Sequence, residues 1–222
     1  MNVAIMQPYL FPYIGYWQLI HKVDTFVLFD DVNYIKKGYI NRNEMIVGAV
    51  SQRFTLELIG ASQNKLINQI EIGSNSSKIL KTIEMNYKKA PYFDNAFPII
   101  ESVFNQDEKN LAKFVGHSLK IISAFLGINT NFIYSSDIQK DNSLKGQDKI
   151  LDIARKLKAK NYINAIGGLD LYDEDTFKEN NISLRFLTPS ILGYKQFDQE
   201  FIPHLSIIDV AMFNSFGDIT KM

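Results

Sequence analysis

The chain has 222 residues, of which 46% are hydrophobic and 22% are charged, and its 24 basic side chains balance its 24 acidic ones. This composition is typical of a globular domain with a substantial core, and zero net charge argues against a general nucleic-acid binder, which would carry a basic excess. No apolar stretch approaches the roughly 20 residues of a membrane-spanning helix, and the absence of cysteine excludes disulfides, thiolate catalysis and zinc–thiolate sites.

The first 43 residues read as a strand, a loop, a helix, a second strand and a polar loop. The apolar run at residues 3–6 is typical of a buried parallel strand, helical spacing follows Gly15, and residues 25–29 restore a strand. This is the order of a βαβ unit in an α/β sheet, whose ligands bind beyond the carboxyl ends of the strands. We therefore expect the polar clusters at residues 7–16 and 30–43 to lie together at one edge of the sheet.

The next segment combines short strand patterns with a block of helices. Residues 53–58 alternate as a half-buried strand does, and residues 70–72 are a second short candidate. Helical patterns then fill residues 74–126, which we expect to form a helical insertion or subdomain covering one side of the site. The predicted helices of this block are 74–88, 95–104 and 109–126.

Strands and helices alternate again in the second half of the chain. The predicted strands are 131–134, 162–165 and 182–187, and the predicted helices are 147–158, 174–179 and 205–213. His204 or Ser206 is the expected N-cap of the last helix, and Ser206 and Asp209 are spaced as a capping box. The whole pattern predicts a single α/β domain over residues 1–222, with a mostly parallel sheet in three layers and a nucleotidyltransferase or Rossmann-like layout.

The loop after the first strand is rich in tyrosine. In nucleotidyltransferase-type folds a His-x-Gly-His turn occupies this place, but here Tyr13 and Tyr16 stand where the histidines would be. Tyrosine cannot shuttle protons near neutral pH without a large pKa shift. The aromatic side chains either plug the end of the sheet or form a platform for a ligand, and both interpretations remain open. The candidate ligand contacts in this loop are Gln7, Tyr9, Tyr13, Gly15 and Tyr16. Gly168, in the tight turn after residues 162–165, is a further candidate.

Two adjacent carboxylates follow the second strand. Asp30 and Asp31 cannot both enter one pocket while the strand continues, because successive side chains point to opposite faces. One of them is a candidate catalytic or ligand-binding group, and the other could cap a turn. Asn33 is a further candidate ligand contact. His21, on the first helix, is a third candidate catalytic residue that could equally face solvent.

Three cations and two amides follow within eight residues. Arginine can bind phosphate or carboxylate in a bidentate way, whereas lysines act as point charges and, taken singly, are more often solvated surface groups. Coming directly after the aspartate pair, the group favours an anionic ligand such as a nucleotide diphosphate. Three histidines without cysteine do not indicate a metal site. The candidate ligand contacts in this segment are Lys36, Lys37, Asn41, Arg42 and Asn43.

With these residues in view, the chain resembles the WbqC-like protein family. The family's last motif ends Phe-Asn-x-Gly, whereas this chain continues from Phe213-Asn214 through Ser215-Phe216-Gly217, one residue longer. A middle pattern at residues 162–168 with Tyr172 and Phe177 also fits. The principal matching segments are AIMQPY at 4–9, FPYIGY at 11–16, DDV at 30–32, YIKKG at 34–38, INRN at 40–43 and LSIID at 205–209.

The resemblance implies a bacterial cytoplasmic protein associated with the biosynthesis of O-antigen or another surface polysaccharide. The N-terminus, which lacks the features of a signal peptide, agrees with that location. Combined with the expected site, the resemblance favours an enzyme that transfers an acyl or aminoacyl group, such as glycyl, to a nucleotide-linked amino sugar. Two alternatives remain, an ATP-dependent adenylating ligase or nucleotidyltransferase with magnesium as cofactor, and a non-catalytic module that binds a sugar or a partner. The sequence leaves homo-oligomerisation open.

Overall fold

A computed structural model describes residues 1–219 and 221 and contains nine strands and eight α-helices in that part of the chain. The strands are β1 (Asn2–Met6), β2 (Thr25–Leu28), β3 (Arg42–Val47), β4 (Val50–Thr55), β5 (Leu58–Ile59), β6 (Glu71–Ile72), β7 (Asn131–Tyr134), β8 (Asn161–Ala165) and β9 (Ser183–Leu187). The helices are α1 (Ile14–His21), α2 (Ser76–Tyr87), α3 (Phe93–Phe104), α4 (Leu111–Phe125), α5 (Gly146–Lys156), α6 (Glu174–Glu179), α7 (Ile207–Phe213) and α8 (Phe216–Ile219). Every helix in the described residues is too short or too polar to cross a bilayer.

Five strands form one parallel sheet in the order β7-β2-β1-β8-β9. The chain winds outward from β1 to β7 on one side, then returns to β8 on the other side of β1, so the strand order reverses between β1 and β8. This is a doubly wound α/β sheet with its topological switch point at that pair. The α/β fold and the mostly parallel sheet predicted from the sequence are confirmed.

The sheet lies between two layers of helices. On β1, the side chains of Val3 and Ile5 belong to a core cluster with Ile150 of α5 and Phe177 of α6. Ala4, between them, joins the larger cluster on the opposite face, which includes residues of α1, α2, α3, α4 and α7. Burial on both faces explains why these strands read as continuous apolar runs rather than as alternating patterns.

The helical block at residues 74–126 forms α2, α3 and α4, as predicted, and packs into the core of the main sheet. Leu119 of α4, Phe104 of α3 and Ile83 of α2 share a cluster with Leu28 of β2. The approach of α4 is close, because a Cβ atom on Gly116 would lie 2.9 Å from the Leu28 Cδ1 atom and closer still to the Tyr134 hydroxyl. The block therefore belongs to the helical layer that covers one face of the sheet.

The sequence did not predict the antiparallel hairpin of β3 and β4. Its register runs from Arg42 opposite Thr55 to Val47 opposite Val50, so the predicted strand at 53–58 is displaced and its first half belongs to β4. Residues 50–53 of β4 are all exposed and only Phe54 is buried, so the alternation at residues 53–58 indicated the second half of the strand and not its first half.

The start of α7 corrects one prediction. Ser206 is the N-cap, and its Oγ accepts a hydrogen bond from the Ile208 N–H at 3.2 Å. Asp209 does not complete a capping box, because the Ser206 N–H donates instead to the Glu44 carbonyl at 3.0 Å. The Asp209 carboxylate turns inward and accepts hydrogen bonds from Tyr87, Tyr194 and Gln196.

Candidate functional site

A cleft of about 740 Å³ opens at the carboxyl ends of β1 and β8, at the topological switch point. The two strands pair only through Asn2 with Asn161 and Val3 with Tyr162, whereas β8 and β9 pair along five residues. Beyond Val3, β1 and β8 have no further ladder pairs, and the cleft lies at this end of the strands. We call it the switch-point cleft, and its lining includes Gln7, Tyr9, Tyr13, Gly15, Tyr16, Phe29, Tyr39, Asn43, Gly146, Gln147, Asn164, Gly167, Gly168, Tyr172 and His204.

The tyrosine-rich loop forms one wall of the cleft. Tyr16 is buried, donates a hydrogen bond to the Gln7 carbonyl at 2.8 Å, and has a pKa raised well above its usual value by burial. It therefore works as a neutral plug that holds the loop on the sheet. Tyr9 and Tyr13 are only partly buried, and the Tyr9 ring lies 5.4 Å from Tyr16 and 6.0 Å from Tyr39 between centroids. The plug interpretation is thus confirmed for Tyr16, and the ligand-platform interpretation stays a prediction for Tyr9 and Tyr13.

The opposite wall of the cleft exposes backbone at two glycines. A Cβ atom on Gly146 or Gly167 would meet no heavy atom within 4 Å, so a ligand can approach these glycines closely. Gly146 begins α5, and Lys145 before it provides no side-chain cap. The unsatisfied N–H groups and positive dipole end at a helix start favour an anion. This end of α5 contributes Gly146 and Gln147 to the cleft.

Gly15 and Gly168 also line the cleft, but the structure explains both by packing. A Cβ atom on Gly15 would lie 2.6 Å from the Tyr13 ring and 2.7 Å from the Pro189 side chain. One on Gly168 would lie 2.6 Å from the Asn164 Nδ2 atom. These glycines allow Tyr13 and Asn164 to take their places in the walls.

His204 is the one histidine that lines the cleft among the described residues. It is exposed and has a left-handed backbone with φ of 61°. Its ring stands edge-on to Tyr13 with 5.9 Å between centroids, and the β-bridge between Tyr13 and Ser206 fixes this segment against the tyrosine loop. In the described part of the chain, no carboxylate, lysine or arginine joins His204 in the lining.

Asp30 lies outside this cleft, in a second cavity described below. It is buried, and its Oδ1 atom accepts from the Ser136 N–H at 2.9 Å while Oδ2 accepts from the Ser136 Oγ at 2.7 Å and the Asn68 Nδ2 at 3.2 Å. The carboxylate thereby joins the ends of β2 and β7 to residues 67–69, which form a 3-10 helix. These contacts account for a structural role.

Asp31 lies beyond the end of β2, as Asp30 does, and forms a separate buried cluster with two lysines. Its Oδ2 atom lies 2.7 Å from the Lys140 Nζ and 3.1 Å from the Lys149 Nζ. Burial opposes ionisation, but the hydrogen bonds from Lys140 and Lys149 outweigh it and lower the pKa of Asp31. Asp31 therefore anchors α5 and the segment after β7, since Lys149 and Lys140 lie on them.

The polar segment after Asp31 has a mainly structural arrangement. Asn43 lines the cleft and donates to the carbonyls of Leu10 and Phe11 at 3.1 and 2.9 Å. Asn41 accepts from the Tyr34 hydroxyl at 2.9 Å and donates to the Leu56 carbonyl at 2.7 Å. These amides hold neighbouring loops together, and only Asn43 contributes to the lining.

The remaining candidates do not line the cleft. Arg42 uses its Nε to donate to the Gly38 carbonyl at 2.8 Å, and Asn33 forms a β-bridge with Leu66. Lys36 and Lys37 are exposed, as is His21 in the last turn of α1. The structure thus collects the tyrosine loop, Asn43 and Gly168 in the cleft, and it places the predicted catalytic and cationic residues elsewhere.

Several cleft residues were missed by the sequence reasoning. Asn164, at the carboxyl end of β8, and Tyr172 line the wall opposite the tyrosine loop, together with Gly146 and Gln147. The available signals were the position of Asn164 at a strand end and the glycine that opens a helix after the β7 strand.

Comparison with known proteins identifies a family and one relative. The chain matches the family model described as the WbqC-like protein family over residues 7–221. It is 26% identical over 220 residues to an uncharacterized protein of Mycobacterium tuberculosis H37Rv, Rv1507c, across 96% of this chain and 93% of that protein. No solved structure matches the chain significantly.

Proposed function

Because the chain belongs to the WbqC-like protein family, we propose that it is a cytoplasmic enzyme of bacterial surface-polysaccharide biosynthesis, for example of O-antigen. Its reaction is the transfer of an acyl or aminoacyl group, such as glycyl, to the amine of a nucleotide-linked amino sugar. The switch-point cleft is the observation that carries the proposal.

The cleft fits a nucleotide sugar in size and in chemistry. Ligand pockets are commonly about 300–1,000 Å³, and this one measures about 740 Å³ at the place where doubly wound folds bind nucleotides. Tyr9 and Tyr13 offer aromatic faces for a base or a sugar ring. The start of α5 at Gly146 and the open backbone of Gly167 offer donors and space for a diphosphate.

His204 supplies the proton acceptor that amide formation requires. In the proposed reaction the amine nitrogen of the sugar attacks the carbonyl carbon of an activated acyl donor. The bond from that carbon to the leaving group breaks, the leaving group departs with the electron pair, and the imidazole accepts the proton from nitrogen. Histidine is the side chain most often used for this task, and the other ionisable groups that line the cleft within the described residues are tyrosines.

The doubly wound layout also supports the adenylating ligase or nucleotidyltransferase, in which the start of α5 would hold the phosphates of ATP with magnesium. Magnesium-dependent turnover of ATP would identify that activity. A non-catalytic module would bind the sugar and produce no amide.

The test is a thermal-shift screen followed by mass spectrometry of the product. The protein is heated with UDP- and dTDP-linked amino sugars, the same sugars without nucleotide, and ATP, each with and without magnesium. We expect a nucleotide amino sugar to raise the Tm, because ligands that bind the native state stabilise it by mass action. A Tm shift with ATP and magnesium alone would replace the transferase by the ligase, and no shift with any compound would overturn both.

A further inference from the structure

A second cavity, of about 820 Å³, lies at the carboxyl ends of β2 and β7 beneath α4. We call it the β2–β7 cavity. Asp30 and Tyr134 contribute from the strand ends, Glu108 comes from the segment before α4, and α4 itself contributes three side chains. The proposed reaction does not use any of these residues.

One part of the cavity is acidic. The pKa of Tyr134 is raised to about 12 by burial and by the nearby charges of Asp30, Glu108 and Asp137. These three carboxylates line the same cavity as Tyr134. Asp137 has no side-chain hydrogen bond or ion pair in the described structure, and Glu108 has one, from the Asn110 N–H at 2.7 Å. Acceptor oxygens thus remain available to a positively charged ligand group.

Another part is basic. Lys113, His117 and Lys120 are spaced by four and three residues, which puts them on one face of α4. None of them forms an ion pair with a described residue, although carboxylates line the same cavity. Lys120 lies over the Tyr134 ring with 5.3 Å from Nζ to the centroid. The cavity therefore keeps groups of opposite charge apart and unpaired.

Hydrogen bonds and close packing fix the backbone segments that carry these charged side chains. Asp30 accepts hydrogen bonds from Ser136 and Asn68. The Tyr134 hydroxyl packs against the α4 backbone at Gly116, where any larger residue would displace it. Asn110 caps α4 by accepting from the Lys113 N–H at 3.2 Å and donates to the Asn68 carbonyl at 2.7 Å. The acidic and basic parts consequently keep their relative positions.

We infer that the β2–β7 cavity binds a small zwitterion, namely a free α-amino acid. Its ammonium group lies at Glu108 and Asp137, and its carboxylate lies at the basic face of α4. A polyanion such as a nucleotide would meet three carboxylates, and a simple amine would leave the lysines without a partner. The volume also leaves room for a side chain. This inference does not depend on the ligand of the switch-point cleft.

The test measures binding of free amino acids by isothermal titration calorimetry to the full chain, with no nucleotide sugar present. Glycine, alanine, glutamate and lysine are the probes. For the one that binds tightest, the N-acetyl derivative and the amide each remove one charge. We expect each derivative to bind at least about tenfold more weakly, because it loses charge-assisted hydrogen bonds. Equal binding of either derivative, or no binding of all four amino acids, would overturn the inference.

Two variants locate the site. Asp137→Asn and Lys120→Gln should each weaken binding about fivefold or more, since each removes one unpaired charge from the cavity. The controls Asp94→Asn and Lys81→Gln change exposed residues of α3 and α2 that do not line it, and they should leave affinity unchanged. All four substituted positions are exposed, so folding is expected to survive. Binding that both cavity variants leave unaltered would place the amino acid elsewhere.

Discussion

Phe29 and Asp30 are neighbours in the chain, yet their side chains line different cavities. Phe29 lines the switch-point cleft and Asp30 lines the β2–β7 cavity, and both residues directly follow the last residue of β2. The segment that starts at these residues is therefore a shared wall. A ligand in either cavity would contact its own side of this segment, since the two linings have no described residue in common.

We expect Asp30→Ala to destabilise the fold, contrary to the catalytic interpretation of the sequence. The substitution removes the acceptor of three hydrogen bonds and leaves the donors of Ser136 and Asn68 without it, at a cost of about 2–3 kcal/mol. Urea denaturation measures this, and Asp137→Ala, at an exposed position, is the control with an expected change below about 0.5 kcal/mol. Unchanged stability together with lost activity would restore the catalytic interpretation.

Tyr13→Ala should weaken the binding of a nucleotide amino sugar by roughly 1 kcal/mol, which is about fivefold, because a stacking face is lost. Tyr13→Phe keeps the ring and should bind normally. Met85, which is exposed and does not line the cleft, provides the control Met85→Ala. Titration calorimetry distinguishes these outcomes, and equal affinity of the Ala and Phe variants would remove Tyr13 from the platform.

His204→Asn should lower kcat for amide formation by about 10²–10⁴-fold, the usual contribution of a general base. Asparagine tolerates the left-handed backbone of this position, so the fold and the affinity for the nucleotide sugar should change little. The matched control is His21→Asn, on the exposed last turn of α1. If His21→Asn abolished turnover and His204→Asn did not, the prediction from the sequence that His21 is catalytic would be correct.

Two glycines in the cleft should respond differently to a larger residue. A side chain at Gly167 enters open space, so Gly167→Leu should fold normally and reduce nucleotide-sugar affinity by occupying the cleft. Gly15→Ala should lose roughly 1–3 kcal/mol of stability, because its Cβ collides with the Tyr13 ring and Pro189. Denaturation and binding curves for both variants test this. A stable Gly15→Ala variant would show that Tyr13 moves aside easily.

Asp209 should make stability depend on pH in the acidic range. Burial raises its pKa above the usual 3.8, and the hydrogen bonds from Tyr194, Tyr87 and Gln196 only partly offset this. Because the unfolded chain releases this proton at lower pH than the folded one, the contribution of Asp209 is largest below 3.8 and is lost as pH rises through the folded-state pKa.

The check for Asp209 is the difference in unfolding free energy between the native chain and Asp209→Asn, measured in urea over a pH series. Since asparagine does not titrate, this difference should fall as pH rises above 3.8 and then level off. A difference that rises with pH would mean that the folded state lowers the pKa of Asp209.

The central strands β1 and β2 were predictable because they are buried on both faces. The runs at residues 3–6 and 26–29 are apolar throughout, and core burial of β1 and β2 explains them. The β3–β4 hairpin lacked such a signal, since β4 buries only Phe54. Its pairing depends on contacts with other segments, as in the hydrogen bond from the Ile46 N–H to the Tyr87 hydroxyl.

The location of the cleft followed from the rule that ligands bind at the carboxyl ends of strands, but the side-chain roles did not. Asp31 is used by Lys149, which lies 118 residues further along the chain, and by Lys140. The residues next to Asp31 in the sequence do not indicate that these lysines are its partners. His204 was not predicted as a site residue for the same reason, because long-range contacts such as the bridge between Tyr13 and Ser206 bring its segment to the tyrosine loop.

The pairing of β1 with β8 also determines when the switch-point cleft comes into existence. Asn2 and its partner Asn161 are 159 residues apart, so during synthesis β1 leaves the ribosome long before β8 has been made. Meanwhile β2 and the helical block can already cover one side of β1. Until β8 pairs with β1, the tyrosine loop stays exposed to water and the opposite wall of the cleft is missing. The nascent chain therefore forms its cleft in a late step of folding.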